Sequence, residues 1–208
     1  MTPIFYSFRR CPYAMRARLA LLAADQRVEL REVLLRDKAP EFLSTSPSAT
    51  VPCLKVGDTV LDESLDIMKW ALARNDPDRW LTMPDAGHAL IEEADGPFKD
   101  ALDRTKYANR YPGTDAQAQR AIAHEFLRKL DAVVAVKPWL FGDHPSLADM
   151  AILPFVRQFA NIDRPLFDAQ PWPNLIRWLD AFLVSDIFTR IMPKFPVWKS
   201  EDAPTQFP

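Results

Sequence analysis

The stretch SFRRCPYAMRARLALL, residues 7–22, sets a lone cysteine, Cys11, between a short β-rich run and a long apolar run studded with arginines. Pro12 suits the first position of a helix, because its ring presets φ and the N–H it lacks would be unpaired there anyway. Ala17, Leu21 and Ala24 then share one face beside Ala14 and Ala20, which predicts a helix over 12–24. Cys11 becomes the N-cap of that helix. Unsatisfied amides and the positive end of the helix dipole favour a thiolate there. Arg9, Arg10 and Arg16 lie close in sequence and add positive charge. A thiol of lowered pKa is what nucleophilic or redox chemistry needs; the competing reading is a buried, inert cysteine.

Working outward, IFYSF (4–8) reads as a strand and VELREVLL (28–35) as a second. A short helix is predicted over 38–43. VPCLKV (51–56) and TVL (59–61) flank the dipeptide Gly57–Asp58 and read as a hairpin. DESLDIMKWALAR then opens another helix. The order βαβ, short helix, ββα implies a mixed four-stranded sheet with helices on its faces. DPDRWLTMPD (76–85) is irregular and reads as a linker between a first domain, 1–75, and a second, 86–208. The second domain reads as all-α, with helices over 85–110, 115–136, 146–161 and 173–192, broken at YPGT (111–114) and KPWLFGDHP (137–145). The proline-rich tail from Pro193 is expected to be surface coil.

The 208 residues are 48% hydrophobic, enough for one domain or two small ones. Lys plus Arg is 26 against 28 Asp plus Glu, with no single-sign block, which argues against a nucleic-acid partner. The N-terminus lacks the basic-then-apolar order of a signal peptide, and no apolar run is long enough to span a bilayer, so the expectation is a cytoplasmic protein without a membrane partner. Two cysteines, Cys11 and Cys53, are too few for a disulfide scaffold. His88, His124 and His144 lack the spacing of a metal site, so no metal is expected. The 5 glycines are scattered and form no phosphate loop.

Two further elements carry chemistry. Pro52 opens a strand, where it cannot donate to the ladder; it belongs at an edge or in a special turn, and a cis bond is possible. Glu63–Ser64 opens a helix, where free N–H groups and a hydroxyl suit a carboxylate; an ordinary cap is the simpler reading. Together, CPYA, TVPCL and DES on a βαβαββα unit, followed by an all-helical domain, resemble the cytosolic glutathione transferase superfamily over essentially the whole chain. The cysteine places the resemblance with its omega-like and related bacterial members.

The resemblance implies a thioredoxin-like first domain with glutathione as cosubstrate. Val51, before a cis Pro52, would pair with the cysteinyl part of glutathione, and Glu63 and Ser64 would hold its γ-glutamyl end. Phe8 is placed in the same binding set, and Lys38 would reach the glycyl carboxylate. Ser146 and Asp149, in PSLADM, have the spacing of a capping box, a folding role. A homodimer is expected. A cysteine in the active position attacks a disulfide or a glutathionyl thioether, forming a mixed disulfide with glutathione. Position 14 is alanine, so no resolving cysteine follows and the cycle would be monothiol. Cys53 reads as a core residue and Tyr13 as packing. The second substrate, a small electrophile or disulfide, is expected between the domains. Asp100, Arg104, Tyr107 and Tyr111 share a helical face, and Arg104, Tyr107 and Tyr111 are assigned to that pocket. Trp139, Phe155, Phe159, Trp172 and Trp178 are expected to fill the helical core. Alternative readings are a conventional conjugating transferase and a non-catalytic interaction module.

Overall fold

A computed structural model describes residues 2–208. The chain divides into two compact units, Met1–Leu81 with Ser185–Pro208, and Thr82–Val184. The first unit is a mixed sheet with helices. Its elements are β1 (Ile4–Ser7), α1 (Pro12–Ala23), β2 (Val28–Glu32), α2 (Pro40–Thr45), β3 (Cys53–Val56), β4 (Thr59–Leu61) and α3 (Ser64–Leu72). β1 pairs parallel with β2 and antiparallel with β3, and β3 turns back antiparallel into β4. The β3–β4 turn uses Gly57 at φ +60, a conformation cheap only without a Cβ.

α1 is buried almost all round and packs against α3. This is why its sequence lacks a clean polar face, and why Arg16 and Arg18, both inside, need built partners.

The second unit contains α4 (Asp85–Glu93), α5 (Lys99–Lys106), α6 (Ala116–Val133), α7 (Leu147–Ala160), α8 (Arg164–Asp168) and α9 (Pro173–Leu183). The helix predicted over 85–110 is interrupted. A widened π turn at Ala94–Phe98 accommodates Pro97, which has no N–H for the i−4 bond, and a 3-10 turn at Ala108–Arg110 follows α5. Phe155, Phe159, Trp172 and Trp178 are buried as expected, but Trp139 is only half-buried.

Three expectations about the C-terminal part are corrected. The helix predicted over 173–192 breaks after α9. The Ser185 hydroxyl accepts the Phe188 amide at 3.3 Å and starts a separate α10 (Asp186–Ile191). α10 packs on α1, so it belongs to the first unit rather than to a helical domain running from 86 to 208. The tail is not free coil. Trp198 N–H donates to the Glu32 carbonyl at 3.0 Å, Leu30 N–H donates to Thr205 O at 2.8 Å, and β5 (Gln206–Phe207) pairs antiparallel with β2. The sheet order is therefore β4-β3-β1-β2-β5, with a short fifth strand covering an edge that would otherwise be open.

The capping box at α7 is present, and Asp149 does more than cap. Its carboxylate accepts from the Ser146 amide (2.8 Å), the Ser146 hydroxyl (2.7 Å), the Leu140 amide (2.9 Å) and the Trp178 indole (3.0 Å). Burial pushes this carboxyl above the usual range, while the four donors act against that rise. Ser146→Ala should cost about 1 kcal/mol, the loss of a cap. Asp149→Ala strands three buried N–H groups and should cost about 3 kcal/mol or more. Urea unfolding of both variants checks the order: equal losses would mean Asp149 acts as a cap alone.

Candidate active site

Cys11 caps α1 in extended geometry, with Pro12 at the first helical position. Its amide donates to the Phe8 carbonyl at 2.9 Å, closing a tight turn out of β1. The side chain is half-exposed, and its Sγ lies 3.7 Å from the Val51 carbonyl. The Val51–Pro52 bond is cis. β1 is central and β3 its neighbour, so the parallel β1–α1 turn and the segment entering β3 meet at one end of the sheet.

Beside this thiol is a cavity of about 360 Å³ lined by Tyr13, Thr50, Val51, Pro52, Asp62, Glu63 and Ser64. That is the size range of small-molecule sites. Glu63 is the N-cap of α3 and is exposed, whereas Ser64 is 1% exposed. The Arg16 Nε donates to the Ser64 hydroxyl at 2.8 Å. Because arginine only donates, Ser64 keeps its own proton to give to a ligand oxygen. Two carboxylates, a donating hydroxyl and a helix N-terminus suit a zwitterionic amino-acid head: ammonium toward Asp62 and Glu63, carboxylate toward Ser64 and α3.

Four of the residues singled out in the sequence, Val51, Pro52, Glu63 and Ser64, thus line one cavity, and Cys11 reaches it through Val51. Tyr13, expected to be packing, lines it too, with the Arg16 guanidinium 5.2 Å from its ring centre. Lys38 is elsewhere. It lines a separate cavity of about 490 Å³ with Asp37, Glu41 and Trp198. Phe8 lines a third, beside Arg10. In the second unit Arg104 forms a two-oxygen pair with Asp100 and lies 5.1 Å from the Tyr111 ring. Tyr107 ends α5 and is flanked instead by Lys106 and Arg110. The shared face expected for 104, 107 and 111 is therefore split, because the helix stops before 107.

Arg18 escaped the sequence reading. It is fully buried, donating to Ser7 Oγ (2.8 Å), Glu32 Oε2 (2.5 Å) and the Ile191 carbonyl (3.1 Å). Glu32 Oε1 accepts the Arg9 amide at 2.7 Å. Burial lowers the Arg18 pKa from the usual arginine range, and Glu32 opposes that fall. One ion pair thus anchors both ends of the turn that presents Cys11.

Cys53 is fully buried among Tyr6, Val33, Phe42 and Val51. Burial, then the nearby Asp62 charge, pushes its thiol up from 9.0 to about 11. The folded thiol stays protonated where the unfolded one has ionised, so Cys53 contributes stability that is lost as pH rises from 9.0 through about 11. At pH 8, iodoacetamide should alkylate Cys11 and spare Cys53 until the protein unfolds, read by peptide mass. Equal labelling in the folded state would refute the assignment.

Comparison with known proteins bears on the fold and the family. The profile for the glutathione S-transferase N-terminal domain matches residues 5–80, and that for the C-terminal domain matches 89–181. Maleylacetoacetate isomerase of Rattus norvegicus is 26% identical over 198 residues, covering 89% of this chain and 90% of its own. In fold, the chain is similar to a glutathione transferase family member from Pseudomonas fluorescens solved with two glutathione bound (TM-score 0.77, 20% identity, 92% of each chain). It is also similar to glutathione transferase Omega 3C of Trametes versicolor (TM-score 0.74, 19% identity, 92% of this chain and 84% of that one). The two domain profiles between them take in most of the sequence, and the chain belongs to the glutathione S-transferase superfamily.

Proposed function

We propose that this protein is a glutathione-dependent thiol transferase of the cysteine type, with Cys11 as nucleophile. The observation that carries the reading is the position of the Cys11 sulfur. It stands at the N-terminus of a twelve-residue helix, 3.7 Å from the carbonyl of Val51, the residue before the cis proline of the adjoining cavity. Glutathione fits that cavity with its γ-glutamyl head at Asp62, Glu63 and Ser64 and its cysteinyl part along Val51. The helix N-terminus favours the thiolate. The Cys11 thiolate attacks one sulfur of a glutathione disulfide, the S–S bond breaks, and the partner leaves as a thiolate. A second glutathione thiolate then attacks the mixed disulfide and returns Cys11. Ala14 offers no intramolecular thiol, and Cys53 is buried, so a second glutathione is the resolving thiol.

The omega-like type and a homodimer, drawn from the resemblance of the sequence, and a cytoplasmic location are part of the same proposal. The second reading is conventional conjugation, in which the glutathione thiolate itself attacks an electrophile in the same cavity. It uses the same polar head site, which serves either chemistry.

Intact mass after brief exposure to oxidised glutathione separates the two. The wild type should gain one glutathionyl group, reversed by reduced glutathione, and Cys11→Ala should gain none. Wild type with a free, unmodified thiol would transfer the proposal to conjugation. Retention of both proteins on immobilised glutathione tells either enzyme from a non-binding module.

A further inference from the structure

A third cavity of the first unit, about 320 Å³, lies on the other side of the Cys11 turn. Its walls are the turn itself, the end of β2 and the returning tail. Phe8, Leu34 and Phe195 give it an apolar lining, and Arg9, Arg10 and Lys194 supply positive charge. Phe195 is held in place by the Arg18 guanidinium 5.7 Å from its ring centre and by Phe207, perpendicular at 6.5 Å.

The charges do not cancel. Glu32 is the one carboxylate of the lining among the described residues, and both its oxygens are taken, by the Arg9 amide and by Arg18. The buried Arg18 neutralises it. The Arg9 guanidinium reaches the Met192 carbonyl at 3.5 Å and, among the described residues, no carboxylate, and the Arg10 guanidinium lies over the Phe8 ring at 5.5 Å. Neither Arg10 nor Lys194 forms an ion pair among the described residues. An apolar slot rimmed by three cations, with its acid already spent, is complementary to an acid with a flat apolar body.

We propose that this cavity binds small carboxylates with an aromatic or similarly apolar body, and that it delivers such acids to Cys11 as preferred cosubstrates. Phe8, Arg9 and Arg10 wall the cavity and belong to the turn that ends in Cys11, so its cationic rim adjoins the nucleophile's own turn. The binding half stands by itself. The delivery half rests on the thiol-transferase reading above. In that step the Cys11 thiolate attacks one sulfur of an aryl disulfide, a Cys11–aryl disulfide forms, the aryl S–S bond breaks, and one aryl thiolate leaves.

The first experiment uses the Cys11→Ala protein and titration calorimetry with 2-naphthoate and 2-naphthamide, which share a ring system but not a charge. Naphthoate should bind one to one and at least tenfold more tightly than the amide. Arg10→Gln with Lys194→Gln should weaken naphthoate about tenfold and leave the amide unchanged. No binding, equal binding of the pair, or indifference to the double variant overturns the proposal.

The second experiment compares the rates at which wild type consumes 5,5'-dithiobis(2-nitrobenzoate), an anionic aryl disulfide, and the neutral 2,2'-dithiodipyridine. Their ratio removes any change in thiolate fraction. The double variant should lower that ratio about tenfold. An unchanged ratio overturns delivery. Reaction of Cys11 with neither reagent overturns the thiol-transferase reading and delivery with it, while the calorimetry still decides binding.

Discussion

One buried ion pair organises the first unit. Arg18 on α1 and Glu32 at the end of β2 meet at 2.5 Å with almost no exposed side-chain surface. Isolating either charge there would be costly, since removing one partner of a buried pair costs about 3–5 kcal/mol. The remaining valences are met by structure that must therefore be in place: Ser7 at the end of β1, the Arg9 amide in the turn and the Ile191 carbonyl at the end of α10. Strand, turn, first helix and C-terminal return are tied at one point, and Cys11 sits between the tied residues. A nucleophile in a turn of four residues would ordinarily share the looseness of loops. Here its backbone is fixed from both flanks.

The same pair separates two chemistries on either side of the turn. Toward β3 and α3 the cavity is acidic and hydroxyl-bearing, suited to an amino-acid head. Toward β2 and the tail it is basic and apolar, because Glu32 is consumed internally and the arginines beside it are left to face the cavity. One arginine, Arg16, serves the first side by bonding Ser64, and another, Arg18, serves the second by holding Glu32. The alternation Arg-x-Arg on one helix thus assigns a positioning role to each side of the thiol.

How much of this the sequence disclosed depended on range. Pro12, Val51–Pro52, the Glu63–Ser64 start and the Ser146–Asp149 spacing are signals contained within four residues, and local backbone rules read them. The resemblance added the meaning of their combination. What stayed hidden was long-range. Arg18 and Glu32 lie 14 residues apart, and Arg18 and Ile191 lie 173 apart, so no window contains them. The break at Ser185 has neither Gly nor Pro to announce it, which let one helix be read through to 192. Tyr107 and Tyr111 looked like one face because periodicity does not show where a helix stops. Lys38 was placed by analogy, and loop geometry put it on another cavity.

The return of residues 185–208 to the first unit also bears on the order in which the protein is made. β1, β2 and α1 leave the ribosome before the whole of the second unit, but their last partners, α10 and β5, come after it. During that interval the outer edge of β2 has no strand against it, and Arg18 lacks its Ile191 carbonyl. An unpaired edge is a template for wrong pairing. The nascent chain must carry that exposed edge through synthesis of residues 82–184, and only the final segment retires it.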